Sequence, residues 1–217
     1  MIRFKFSGMG NRNENLDVIS SFKYKGCNVG IALLDGYDCS EDDINQVSKV
    51  ISEFDFSHGA VEGLIKICKG LPVKVSACFV FKLNNNIHIY SAGDCRVYNR
   101  EGHLLTVDDS VAWKELKDKG ISEKKIPHLV GYCPNRNYLT SFIDFCSDTI
   151  NLTHSVFDLN PSNQELMMCT DGFWEHFDED TAQGIFIGNV EANLTSLKDS
   201  FPDYVENHTV CLVCFEP

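Results

Sequence analysis

Four acidic residues stand at the ends of apolar segments: Asp17 follows "NENL", Asp35 follows "VGIALL", Asp171 follows "LMMCT", and Glu206 immediately precedes "NHTVCLVCF". If those segments are core strands, their ends can meet on one rim. Carboxylates gathered there would lose hydration and repel one another unless cations neutralised them, so the pattern points to a divalent-metal site. Each pair taken singly has a plainer reading, because Asp-Gly is among the commonest turn dipeptides and one such pair at a strand end is usually only a turn. The stretch "ELMMCTDGFWEHF" shows the contrast most sharply, with an apolar run, the carboxylate of Asp171, and then Phe173 and Trp174 at once.

The segments that must position these acids follow from periodicity and punctuation. "CNVGIALLDG" is an apolar run ended by Asp-Gly, and "VKVSACFVF" and "NIHIYSAG" are strands joined by "NNN". "CRVYNREGHLLTV" reads as two short strands around Glu101-Gly102, which extends the series into a consecutive antiparallel meander. Helices are predicted over "SEDDINQVSKVISEF", which opens at Ser40 with acidic residues, and over "HGAVEGLIKICKG", which stops at Gly70 and Pro72. "DSVAWKELKDKG" carries Asp109 or Ser110 as N-cap and Gly120 as stop, "SEKKI" gives a short second helix, and "DEDTAQGIFIGN" and "VEANLTSLKDSF" give two more before the closing strand "HTVCLVCF". Strands in runs with helices grouped between them indicate a layered α+β domain.

The chain of 217 residues, with 43% hydrophobic and 23% charged residues, suits one well-filled domain spanning 1–217, without repeats or low-complexity tracts. A net charge of -12 would repel a phosphate backbone, which disfavours nucleic-acid binding, and no nucleic-acid partner is expected. The amino terminus carries no apolar stretch of signal-peptide length and no run approaches a membrane span, so the expected location is the cytoplasm, with no membrane association. Most of the 10 cysteines lie inside apolar runs and read as reduced, buried thiols. Cys211 and Cys214 form a C-x-x-C, but in a terminal strand positions three apart face opposite sides, which argues against a zinc knuckle.

Taken in order, the motifs resemble those of the metal-dependent (type 2C) protein serine/threonine phosphatases, in their compact bacterial form. "GNRNENLD" looks like the family's opening motif and puts Arg12, Asn15 and Asp17 on its key positions, and "VGIALLDGYD" matches the strand that carries Asp35 and Gly36. "SAGDCRVYNREGHLLTVDDS" resembles the Gly-Asp-Ser-Arg hairpin with the Leu-Thr-x-Asp-His-Ser segment after it. "WKELKDKGISEKKI" with "CPNRNYLTSF" resembles the helix pair and loop of a flap, here about residues 109–137. "MMCTDGFWE" is similar to Ser-Asp-Gly-Leu-x-Asp, and "ENHTVCLVCF" to the final Asp-Asn-x-Thr strand. One such motif is weak; the ordered set, covering about residues 8–215, is specific.

The resemblance implies an α-β-β-α sandwich, two antiparallel sheets flanked by helix pairs, with a metal site at one edge. It implies Mn²⁺ or Mg²⁺ at two core positions, held by Asp35, the Gly36 carbonyl, Asp171 and Glu206, and a third, weaker ion at Asp108 with Glu175. Asp17 would act through water. Two cations would acidify a shared water and give a bridging hydroxide for in-line attack on a phosphoserine or phosphothreonine ester, with no covalent phosphoenzyme. Arg12 would grip the phosphate by its guanidinium fork. Asp94 would brace the hairpin, and Trp113 and Phe173 would pack the core. The implied partners are a phosphoprotein substrate and a cognate serine/threonine kinase, and the implied state is a monomer.

Three positions depart from the family pattern. Glu206 stands where an Asp is usual, one methylene longer; Tyr37 replaces a His that protonates the leaving group in many members, and a phenol is the weaker acid at neutral pH; Asp38-Cys39 replaces Gly-Gly. These departures keep a second class of function open, a catalytically silent phosphatase-like fold that binds phosphoproteins. A carboxylate-rich nuclease fits the acids and conflicts with the charge.

Overall fold

The computed structural model describes residues 2–24, 28–54, 61, 63, 66, 68–147, 151–175, 179–200 and 206–216. Among the described residues, ten strands form two antiparallel sheets. One is ordered β1-β10-β9-β6, from β1 (Ile2–Gly8), β10 (His208–Cys214), β9 (Glu165–Cys169) and β6 (Arg96–Asn99). The other is ordered β2-β3-β4-β5-β8, from β2 (Asp17–Tyr24), β3 (Asn28–Tyr37), β4 (Lys74–Leu83), β5 (Asn86–Ala92) and β8 (Thr153–Asp158), with the two-residue β7 (Ile143–Asp144) also paired to β4.

Strand alternation sorts the apolar side chains into three cores, which is what makes four layers. Ile31 and Leu33 of β3 meet Leu166 and Met168 of β9 and Cys211 and Val213 of β10 between the sheets. Their neighbours Ala32 and Leu34 point outward, against Ile44, Val47 and Ile51 of helix Glu41–Glu53. On the far side, Met167, Cys169, Val210 and Leu212 pack against Trp113, Phe173, Trp174 and Leu194 from the other helices.

The helix Glu41–Glu53 forms as its sequence predicts: Ser40 caps it, Asp43 reciprocates in a capping box, and three acids occupy the first turn, where the helix dipole favours them. Helices Val111–Asp118, Glu179–Ile185 and Val190–Ser200 also lie where expected, with Ser110 rather than Asp109 as the cap of the first. The predicted helix over "HGAVEGLIKICKG" falls largely outside the described residues. The short helix expected at "SEKKI" is displaced to Ile126–Leu129, because Pro127 suits a helix start and residues 123–125 form the turn before it.

Two strand expectations need correction. Asp35-Gly36 does not end its strand, since β3 continues to Tyr37 through pairing with β4. The meander covers β2 to β5 only: after Gly93 the chain crosses to the other sheet, where β6 pairs with β9, and the second arm of the expected hairpin is reduced to a single bridge between Tyr98 and Leu104. The cross-over is held by Ser76, whose Oγ accepts from the amides of Asp94 (2.8 Å) and Cys95 (2.9 Å). Gly93 is required there, with φ +89° and a would-be Cβ 2.4 Å from Ser76 Oγ.

Nine cysteines among the described residues are free thiols, and Cys211 faces the inter-sheet core. No helix is long and apolar enough to cross a membrane among the described residues.

Candidate active site

The acids named by the sequence arrive at one edge of the sandwich from both sheets. In the β2–β3 ladder Asp17 is the direct partner of Asp35, and in β3–β4 Asp35 is the partner of Ser76. From the other sheet, β9 ends at Cys169 and Asp171 opens the turn of helix Asp171–Trp174. The aromatic residues behind Asp171 anchor that turn. Phe173 and Trp174 are buried, Trp174 Nε1 donates to the Asp94 carbonyl at 2.9 Å, and the Trp174 ring lies 3.5 Å beneath the Arg96 guanidinium.

Glu206 and Asn207 come alongside Asp171 because residue 172 is glycine: a Cβ there would lie 2.1 Å from the Asn207 carbonyl oxygen and 3.1 Å from Glu206 Cβ. Asn207 in turn shapes the loop bearing Arg12. Its Nδ2 donates to the carbonyls of Met9 (3.0 Å) and Glu14 (2.9 Å), and its Oδ1 accepts from Leu16 N (2.9 Å). Asp35, Gly36, Asp94, Asp171, Glu206 and Arg12 then line one cleft of about 960 Å³, with Tyr138 and Phe142 on its flap side. Asp17 lies behind it, with Oδ2 accepting from Thr170 Oγ1 at 2.8 Å and Oδ1 buried without a hydrogen-bond donor among the described residues.

Burial sets the electrostatics. It pushes the carboxyl of Asp17 up to about 7, helped by the charge of Asp171, and that of Asp171 up to about 6, helped by Glu175. Burial and the neighbouring acids raise Asp35 and Asp94 well above the carboxylate range. Among the described residues Arg12 is the only Lys or Arg lining the cleft, and it is already engaged: Nε donates to Glu206 Oε2 at 2.8 Å, and Nη2 donates to the same oxygen.

An all-oxygen set of this kind suits Mg²⁺ or Mn²⁺, and the donorless Oδ1 of Asp17 is where a hydrated cation would supply hydrogen. As the side chains stand, no three or more His, Cys, Asp or Glu among the described residues are gathered tightly enough to hold an ion. Glu206 is turned instead toward Arg12.

Two expected ligands are placed elsewhere. Asp108 is fully buried in a bidentate pair with Arg96, whose Nε lies 3.0 Å from Oδ1 and whose Nη2 lies 2.6 Å from Oδ2; both oxygens are used inside the fold. Glu175 accepts from Arg136 Nε (2.8 Å) and pairs with its Nη2 (2.6 Å), which ties the flap to the turn after Asp171. Arginines on neighbouring elements reach these acids first, a pairing that spacing along the chain does not reveal. Asp94 departs from its expected role in the opposite direction: its amide braces the cross-over, but its side chain joins the acids of the cleft.

Thr170, Asn207 and Ser76 orient the site and have no assigned role in the sequence reading. Asn207 and Thr170 lie beside Glu206 and Asp171 within the same short motifs; Ser76 lies in an ordinary strand and carries no sequence signal.

Tyr37 has its ring edge-on to Phe142 and its hydroxyl buried without a hydrogen-bond partner among the described residues. Burial, with Asp144 and Asp38 nearby, raises its ionisation further, so it is no proton donor at neutral pH in the manner of His. Tyr37→Phe is therefore expected to change turnover less than about threefold and to stabilise the fold by up to about 1 kcal/mol, because it removes an unsatisfied buried hydroxyl; steady-state kinetics and urea unfolding check both.

No family model and no curated protein sequence matches the chain. Solved structures do. Serine/threonine phosphatase Stp1 from Staphylococcus aureus superposes with TM-score 0.80 at 17% identity, covering 100% of this chain and 96% of that one. The S. agalactiae serine/threonine phosphatase gives TM-score 0.72 at 22% identity, with 98% of each chain covered. The catalytic domain of the serine/threonine phosphatase PstP, in complex with two manganese ions, gives 0.67 at 17% identity, covering 96% and 95%. At these identities the likeness establishes a shared fold over the whole chain.

Proposed function

We propose that this chain, which has the fold of the bacterial serine/threonine phosphatases, is a divalent-cation-dependent phosphatase acting on phosphoserine and phosphothreonine in proteins. The observation that carries the reading is the gathering of four acids at one edge of the sandwich, Asp17 and Asp94 buried and Asp35 and Asp171 part-buried, at a cleft where Arg12 is the only Lys or Arg among the described lining residues. Such a set is tolerable at neutral pH only with cations between the acids or protons on them.

Asp35, the Gly36 carbonyl, Asp171 and Glu206 would hold two cations, Mn²⁺ or Mg²⁺, and the manganese bound by PstP supports that choice. Bound there, they would supply an activated water for direct attack on phosphorus and neutralise charge on the ester. Arg12 would bind two oxygens of the phosphate and hold the ester across the cleft. Asp17, fixed through Oδ2 by Thr170, offers Oδ1 as the acceptor that orients a water toward the phosphate. Tyr37 and Phe142 close one wall against bulk water. Asp108 and Glu175 take no part in this scheme. Phosphoproteins made by a serine/threonine kinase are the implied substrates.

The capture of Arg12 by Glu206 favours a second reading, a silent module that binds phosphoproteins without turning them over. Hydrolysis of phosphoserine and phosphothreonine peptides and of an aryl phosphate decides between them. The expected result is release of phosphate with Mn²⁺ or Mg²⁺ and none with chelator. Turnover that survives chelation would sink the mechanism, and peptide binding without turnover would support the silent module.

A further inference from the structure

Arg12 and Glu206 are each suited to a different ligand of the cleft, yet they hold one another. Both Nε and Nη2 of Arg12 converge on Oε2 of Glu206, so one of the guanidinium edges suited to gripping a phosphate is occupied. The Glu206 backbone is not free to follow Arg12. Its Cβ lies close beside Gly172, and Asn207, the next residue, is pinned by its three hydrogen bonds to the 9–16 loop. Glu206 reaches the mouth by its side chain alone, and the extra methylene over Asp supplies about 1.5 Å of that reach. The side chain is 26% exposed and has room to turn, while the negative charge of Asp171 repels it from the interior.

Taking the cleft to be a cation-dependent phosphatase site, we propose that Glu206 gates Arg12: it occupies the anion clamp while the acids lack a cation and swings inward once Asp35 and Asp171 hold one. A cation converts the repulsion at Asp171 into attraction for the same carboxylate, and the inward swing frees Arg12. Phosphate binding at Arg12 is then conditional on the cation, and by linkage each ligand tightens the other by the same factor. With Asp at 206 the carboxylate keeps its charge but cannot reach Arg12, so the clamp stands open.

Side-chain nitrogen-15 NMR of the full chain tests the gate, with the Arg12 Nε–Hε signal assigned by its loss in Arg12→Lys. In chelator, the wild type should show a hydrogen-bonded, slowly exchanging Hε that is absent in Glu206→Asp and Glu206→Gln. Mg²⁺, with uptake followed by calorimetry, should move the wild-type signal to the free position. Without cation, inorganic phosphate should perturb Arg12 at a concentration at least about tenfold lower in Glu206→Asp than in wild type. Identical Arg12 signals in wild type and Glu206→Asp would overturn the gate, as would Mg²⁺ uptake with Arg12 unmoved. Absence of Mg²⁺ uptake by the wild type would overturn both the gate and the cation-dependent phosphatase reading.

Discussion

Asp108→Ala is expected to lower the free energy of unfolding by about 3–5 kcal/mol, the cost of leaving a buried guanidinium without its counter-charge. Side-chain exposure in the Arg96–Asp108 pair is 1% and 0%, so water cannot replace the lost partner. Burial opposes the charge on Arg96, and the Asp108 carboxylate together with Tyr98 more than offsets it. Arg96 also donates to Tyr98 Oη and to the Pro127 carbonyl, each at 3.0 Å, and lies over Trp174. One guanidinium therefore joins β6, the flap helix Ile126–Leu129 and the turn that carries Asp171. Urea unfolding in chelator measures the loss, and replacing both partners by apolar residues of similar volume, Arg96→Met with Asp108→Leu, should recover most of it. The sign separates two roles. If Asp108 served a third cation, its removal would relieve repulsion and stabilise the chelated protein.

Asp171→Asn should do the opposite: abolish catalysis and strengthen the cation-free fold. Turnover is expected to fall at least about a thousandfold, because a lost cation ligand removes several kcal/mol of transition-state stabilisation. The stability effect follows from linkage. The carboxyls of Asp171, near 6, and Asp17, near 7, lie above their unfolded values near 3.8, so folding takes up protons. Their contribution is fully present below the unfolded value and is lost as pH rises through about 6 to 7. In chelator the wild type should therefore melt lower at pH 8 than at pH 5.5, while Asp171→Asn, which cannot ionise, should gain on the order of 2 kcal/mol at pH 8 and show a shallower dependence. Saturating Mn²⁺ should reverse the order, since a cation bound only by the native wild type stabilises it by mass action. Thermal melts of the two proteins with chelator and with Mn²⁺ across this pH range check each sign. Equal melting of the two proteins in chelator at pH 8 would remove the burial argument for Asp171.

The particular residues show where sequence and tertiary structure divide the information. Strands buried on both faces, β3, β4 and β9, announce themselves as apolar runs, and so does β10. The edge strands β1, β2 and β8 keep one face toward solvent, mix Lys, Ser and Asp with their apolar residues, and pass unread. The helix Glu41–Glu53 was legible because its cap, acidic first turn and apolar stripe are all local. Asp17, Asp35, Asp171 and Glu206 could be named from the chain because each closes or opens an apolar segment, and strand ends in a sandwich share a rim. What the acids do once gathered depends on contacts between residues far apart. Arg96 claims Asp108, Arg136 claims Glu175, Arg12 claims Glu206, and Trp174 brings Asp94 to the turn of Asp171. A carboxylate goes to whichever cation reaches it with the better geometry, and that reach is set by how the sheets and the flap pack, over separations that leave no mark in local sequence.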